Sequence, residues 1–317
     1  YLNKVALPDF EGKCSTEIIP LRSKANIDRV YLAYFLRSPD VVRQISERTA
    51  GARMPRADMD HLFSLIIPLP SLPEQQRLVD ILSRAEGIVR LRREAHKKAQ
   101  ELIPALFLDM FGDPATNPKG WPRLQLEDVC EISYGIADKL DTSITAEKGL
   151  RILTISNVLL EGAIDQTVFR FCKATHDQVK KCSVQRGDLL FNWRNGSETH
   201  IGKTAIWEND KSVLHVSFLL RLRPISERLN SDFLWAMLNL LRANEFFIGA
   251  SRQQIHRKFN ASELSVLKLP IPPNELQNKF SSLVEQTRSI QSQQSIALEK
   301  AEATFQSLLH RAFAGQL

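Results

Sequence analysis

Two basic stretches, the second of them also amide-bearing, carry the side chains best suited to recognition chemistry. One is Glu47-Arg-Thr-Ala-Gly-Ala-Arg-Met-Pro-Arg56; the other is Gly249-Ala-Ser-Arg-Gln-Gln-Ile-His-Arg-Lys258. A guanidinium matches the edge of guanine, a glutamine amide matches adenine, and an ammonium meets phosphate. Arg48, Arg53 and Arg56 in the first stretch are therefore candidate DNA contacts. So are Arg252, Gln253, Gln254, Arg257 and Lys258 in the second. A third polar stretch, Asn192-Trp-Arg-Asn-Gly-Ser-Glu-Thr-His200, adds Arg194, Asn195 and Ser197. Trp193 in that stretch reads better as half-buried packing than as a platform for a base. Tyr134, Lys139 and Arg151 are candidates of second rank.

Catalytic chemistry is not visible. Gly196-Ser-Glu-Thr-His-Ile-Gly-Lys-Thr204 resembles a phosphate loop, but five residues separate its glycines where four are needed, and a strand-like run follows instead of a helix. There is no G-x-G-x-x-G, and no Asn/Asp-Pro-Pro-aromatic run of the kind that holds a flipped base. The seven histidines lack ligand spacing, and Cys14, Cys130, Cys172 and Cys182 include no C-x-x-C pair. No catalytic, cofactor or metal residue is assigned. Scattered single thiols fit a reducing cytoplasm.

The elements that must position these loops come in two copies. Pro68-Leu-Pro70 returns as Pro270-Ile-Pro272, and Tyr31-Leu-Ala-Tyr-Phe-Leu36 as Phe233-Leu-Trp-Ala-Met-Leu238, both 202 residues on. Beyond the proline motif, Leu72-Pro-Glu-Gln-Gln76 is matched with Pro273-Asn-Glu-Leu-Gln277 at an interval of 201. The two basic stretches occupy equivalent places in this repeat, which makes a mere solvated turn a poorer explanation of either.

Each copy closes in a long helix. Residues 74–111 read as one helix, with Gly87 and Pro104 as places to bend and a length of about 57 Å if straight. A second spans about 274–314. Leu276, Leu283, Ile290, Ala297 and Thr304 are expected on its seam beside Phe280, Thr287, Gln294, Ala301 and Leu308. Two such helices in a repeated chain are expected to run antiparallel as a spacer between globular heads.

Residues 122–273 read as a mixed α/β globule. Strands are expected over 150–155, 188–193, 203–207 and 213–221, and an amphipathic helix over 231–242 that buries Phe233, Leu234, Met237, Leu238 and Leu241. Residues 1–71 carry a matching half, with 15–21 as a strand and 28–38 as a helix. The expected division is 1–71, the C-terminal half of a first globular domain; 72–121, spacer helix and linker; 122–273, a second globular domain; and 274–317, a second spacer helix. The second copy starts near Trp121, so its counterpart implies roughly 80 residues ahead of Tyr1.

Composition agrees with a globular chain: 43% hydrophobic and 25% charged residues exclude a disordered tail or a collagen. Apolar runs such as 62–72 are short and broken by prolines, which argues against a membrane span, and the first ten residues do not read as a signal peptide. The net charge is +6, and residues 122–273 carry 20 basic against 17 acidic groups while 274–317 carry four of each. This is compatible with a polyanion partner, though mild.

Several residues together resemble a known family. Pro-Leu-Pro-Ser-Leu-Pro-Glu-Gln-Gln (68–76) ahead of a long helix, Gly187-Asp-Leu-Leu190, Cys14-Ser-Thr-Glu17 and Leu-Phe-Leu-Asp-Met-Phe-Gly (106–112) are similar to specificity subunits of type I restriction–modification systems. The likeness covers essentially the whole chain. It implies an α+β architecture: mixed α/β target recognition domains alternating with long antiparallel coiled-coil helices, related by a pseudo-two-fold repeat. It implies a non-catalytic subunit that reads a bipartite site in double-stranded DNA. Such a subunit docks two modification (methyltransferase) subunits and ATP-dependent restriction subunits. S-adenosylmethionine, ATP and Mg are expected on those partners and none in this chain. The second copy departs from the pattern, with Asn274-Glu-Leu-Gln277 in place of the Glu-Gln-Gln ending and Val216-Ser-Phe218 where the first has Cys14-Ser-Thr16. A coiled-coil adaptor that binds protein, a nucleotide hydrolase using 196–204, and a silent specificity cassette of the same fold are the competing readings.

Overall fold

The computed structural model describes residues 4–48, 57–138, 141, 143–194, 197–225, 227–250 and 259–317. Among them the helices are α1 (Arg29–Arg37), α2 (Pro39–Glu47), α3 (Met59–Ser64), α4 (Leu72–Phe111), α5 (His176–Cys182), α6 (Ser231–Ala243), α7 (Phe246–Ala250), α8 (Ala261–Ser265) and α9 (Asn274–Phe313). The strands are β1 (Arg123–Gln125), β2 (Cys130–Tyr134), β3 (Leu150–Leu153), β4 (Arg170–Cys172), β5 (Ser183–Val184), β6 (Leu189–Asn192), β7 (Thr204–Ile206), β8 (Val213–His215), β9 (Leu219–Pro224) and β10 (Lys268–Pro270). The chain forms two compact units, residues 1–100 with 290–317, and residues 101–289. α4 and α9 contribute to both.

Unit 2 holds the sheets. β2-β9-β6-β7 is wholly antiparallel; β4-β3-β8-β5 is antiparallel except for the parallel β3–β8 pair; β1 pairs with β10. Side chains alternate across a strand, so β6 feeds two cores. Leu189 and Phe191 join Phe107, Phe111, Phe233 and Phe280, while Leu190 joins Ile152, Leu153, Val184 and Leu214. The expected strand over 213–221 is in fact two. A turn at 216–218, closed by Leu219 N–H donating to Val216 O at 3.0 Å, sends β8 into one sheet and β9 into the other.

In unit 1, α1 packs on α4 and on the end of α9 through Tyr31, Tyr34, Leu78, Leu82, Phe305 and Leu309. Asp28 caps α1 by accepting from the N–H groups of Val30 and Tyr31. Within this unit Gln291 donates to Ala99 O and Glu302 pairs with Arg93, so the two helices run antiparallel there. The strand expected over 15–21 does not form. Its counterpart β9 is held between β2 and β6. A turn closed by Ile18 N–H donating to Ser15 O at 3.1 Å, and Pro20 with no N–H to give a ladder, leave 15–21 irregular, with Ile18, Ile19 and Leu21 exposed.

The repeat holds at the level of single hydrogen bonds, and corrects one alignment. Gln75 is fully buried; its amide donates to Asn26 O and Pro70 O, and its oxygen accepts from Asp28 N–H. Gln277 is fully buried and does the same with Arg228 O, Pro272 O and Asn230 N–H. All four pairs are 202 apart, as are both ends of α4 and α9, so the interval of 201 is wrong and Gln75, not Gln76, is the counterpart of Gln277. The second copy thus retains the working glutamine, although its motif reads as a departure. Ring pairs repeat too: Phe111–Phe233, at 4.9 Å, answers Phe313–Tyr31, at 5.1 Å.

The α9 seam is half as expected. The row through Phe280, Thr287, Gln294, Ala301 and Leu308 is buried or partly buried. The other row is shifted by one, to Gln277, Val284, Gln291, Leu298, Phe305 and Ala312, leaving Ile290 and Thr304 exposed. Both choices satisfy a heptad. Polar residues at 277 and 291 disguised the real one.

Candidate nucleic-acid interface

The site is a corner of unit 2 where two of the expected loops start. β6 ends at Asn192, which is fully buried. Its backbone pairs with Lys203 O and Gly202 N–H, and its side-chain amide donates to His200 O at 3.1 Å. The excursion over 193–201 is thereby closed at its base. Gly202 sits at φ +81°, and a Cβ there would lie 2.3 Å from the Phe247 ring. That close approach seats α7 on the closing turn.

Phe247 and Phe259 bracket the second loop, and both rings contact Phe191 (5.2 and 6.4 Å between centroids) and each other (5.1 Å). Phe259 N–H donates to Trp193 O at 2.9 Å. Ala261 N–H donates to the Tyr134 hydroxyl at 3.2 Å, and Asn260 caps α8 in a capping box with Glu263. Segments far apart in sequence thus leave one point.

Trp193 is partly buried. Its indole N–H donates to Ser217 O at 2.7 Å, and its ring meets Tyr134 edge-on at 5.6 Å. It anchors the corner, as the packing reading expects. Arg194 lies over the Phe218 ring at 5.8 Å, and Phe218 and Tyr134 are 43% and 38% exposed. Exposed aromatic faces beside a planar cation suit bases and backbone phosphates. Phe218 escaped the sequence reading; the only signal was an apolar residue in the turn after Ser217, where the first copy has Thr16.

The other expected residues are placed as follows. Ser197 is exposed, its hydroxyl 3.0 Å from that of Thr199. Arg48 closes α2 in unit 1, is exposed, and lies 3.4 Å from the His61 ring. Arg53, Arg56, Asn195, Arg252, Gln253, Gln254, Arg257 and Lys258 lie outside the described residues, as does Lys139. Arg151 is stacked over Phe169 at 4.9 Å, on β3 in the other sheet.

Several basic groups are committed to the scaffold. Arg223 makes a two-pronged pair with buried Asp188, which holds the guanidinium pKa above its ordinary value. Asp188 also accepts from Gln185 N–H, so the Gly187-Asp-Leu-Leu190 motif is structural. Arg221 is buried against Glu131, Lys181 O and Ser183 O. Lys203, 4% exposed, donates to Ile155 O; burial, with Arg242 nearby, lowers its pKa. That ammonium faces the protein interior, not a phosphate loop. Among the described residues no cluster of three or more His, Cys, Asp or Glu could hold a metal.

The chain is 29% identical over 171 residues to a protein named as the type I restriction enzyme MjaX specificity subunit of Methanocaldococcus jannaschii, covering 53% of this chain and 39% of that one. It is 23% identical to the type I restriction enzyme EcoKI specificity subunit of Escherichia coli, over 94% of this chain and 67% of that one. A chain solved in work on complex assembly and conformational transition of the type I R-M system shares the fold, with TM-score 0.62 and 21% identity over 90% of this chain and 71% of that one. Residues 3–100 and 118–300 match the model of the type I restriction modification DNA specificity domain, and the chain belongs to that family.

Proposed function

We propose that this chain is a sequence-specific DNA recognition subunit that reads a bipartite site in double-stranded DNA. The observation that carries the reading is the shared corner: Phe259 N–H on Trp193 O, which starts the 193–201 and 251–258 loops together beside exposed Phe218, Tyr134 and Arg194. A loop pair on a rigid scaffold is how a domain presents base-reading side chains. In this reading Arg194, Asn195, Ser197, Arg252, Gln253, Gln254, Arg257 and Lys258 contact one half-site, and Arg48, Arg53 and Arg56 serve the other. Residues 1–71 and 122–273 are the recognition portions; 72–121 and 274–317 are the spacers.

The chain itself is taken as non-catalytic. Two adenine-methylating subunits, which bring S-adenosylmethionine, and ATP-driven, Mg-dependent restriction subunits are its partners in the cytoplasm. No described helix is long and apolar enough to cross a membrane. A map of methylated adenines in source cells, with and without the gene, tests the reading. One bipartite motif should vanish on deletion. An unchanged map would overturn the assignment for an active subunit.

A further inference from the structure

Gln75 and Gln277 occur in the first turn of each long helix, 19 residues beyond Arg56 and Lys258, and each ties three segments together. One donor holds the carbonyl of Pro70 or Pro272 in the proline motif. The other holds the carbonyl of Asn26 or Arg228, just ahead of a domain helix. The oxygen takes the N–H of Asp28 or Asn230, the residue that caps that helix. All six bonds are between 2.7 and 3.1 Å, and both side chains are wholly buried.

Only a primary amide of this length fits. Glutamate has no donor for two carbonyls, asparagine is one methylene short, and lysine has no acceptor. Nearby contacts are not repeated in this way. Glu86, on α4, accepts from Tyr34 and pairs with Arg37, whereas its counterpart Arg288, on α9, pairs with Asp232 and Glu208. The glutamine joint recurs with the same residue type and the same three partner positions.

We infer that Gln75 and Gln277 are positioning residues: each locks a recognition portion to its own long helix in a single direction, and so restricts the chain to one gap between half-sites. The inference rests on the proposed DNA-reading function. Removing the joint leaves the reading loops intact but frees the direction in which they are presented.

The test is the adenine-methylation map of cells making the full chain with its modification subunits. Wild type should give one bipartite motif with one gap. Gln277→Met, similar in length but unable to make the three bonds, should keep both half-sites, spread methylation to gaps one base pair longer and shorter, and lower it at the natural gap about tenfold. Leu264→Ala, a cavity in the same portion, should lower methylation without changing the gap. Gln75→Met should reproduce the spread, and carries the test if Gln277→Met does not accumulate. A single gap in both glutamine variants, with losses no greater than their melting temperatures predict from Leu264→Ala, overturns the inference while leaving DNA reading intact. Absence of any bipartite motif in wild type overturns DNA reading itself, and the inference with it.

Discussion

At the scale of residues, two positions make sharp tests. Gly202 has positive φ and the Phe247 ring against its α-carbon, so Gly202→Ala carries both backbone strain and a clash. A loss of about 2–4 kcal/mol is expected in urea unfolding. His215 is buried on β8, and burial is the main cause that brings its pKa from 6.5 down to about 4. The folded chain therefore keeps this ring neutral where the unfolded chain protonates it. Stability should be fully present above pH 6.5 and fall as the pH drops toward 4, by on the order of 2–3 kcal/mol. The difference between wild type and His215→Asn across a pH series of unfolding curves should reproduce that slope; a flat difference would remove this account. Neither residue was legible as special. A glycine or histidine in sequence does not reveal what packs on it.

Among elements, the long helices and α6 were readable because an apolar stripe over several turns has few alternatives. The seam of α9 was only half readable, since Gln277 and Gln291 hold places that composition assigns to Leu276 and Ile290. How domain helices grip their long helices was not readable at all. The first grip is Tyr34 and Arg37 on Glu86; the second is Asp232 on Ser281 and Arg288, with Arg288 over Trp235 at 4.7 Å. Opposite charges at equivalent positions make the grips non-interchangeable. Arg288→Glu would set a third carboxylate against Asp232 and Glu208 and should cost about 2 kcal/mol. Glu86→Arg, at a more exposed site, should cost about 1 kcal/mol or less. Denaturant midpoints of the two variants decide this, and equal losses would count against the difference in burial.

For the whole molecule, net charge overstates what is free to meet DNA. Arg221, Arg223 and Lys203 are spent inside unit 2. On the proposed reading, Arg252, Arg257 and Lys258 supply much of the phosphate contact on that side. Replacing Arg252, Arg257 and Lys258 with Ala should weaken duplex binding. It should also flatten the slope of log K against log salt by about 0.9 for each phosphate that is no longer neutralised. Fluorescence titrations at several salt concentrations measure both. An unchanged slope would move the interface elsewhere.

Order along the chain was set by local signals that sequence carries openly: the 202-residue repeat, the proline motifs and the stripes of the long helices. These depend on neighbours within a few turns, or on simple identity between copies. Tertiary structure decided what depends on distant partners. The run at 15–21 forms no strand, and the run at 213–221 divides between two sheets. Gln75 was visible only as part of a motif; its partners lie 47 and 49 residues away as well as 5. Likewise the joining of Trp193 to Phe259 rests on one backbone hydrogen bond and three packed phenylalanines, contacts that exist only once the sheet and α7 have closed together.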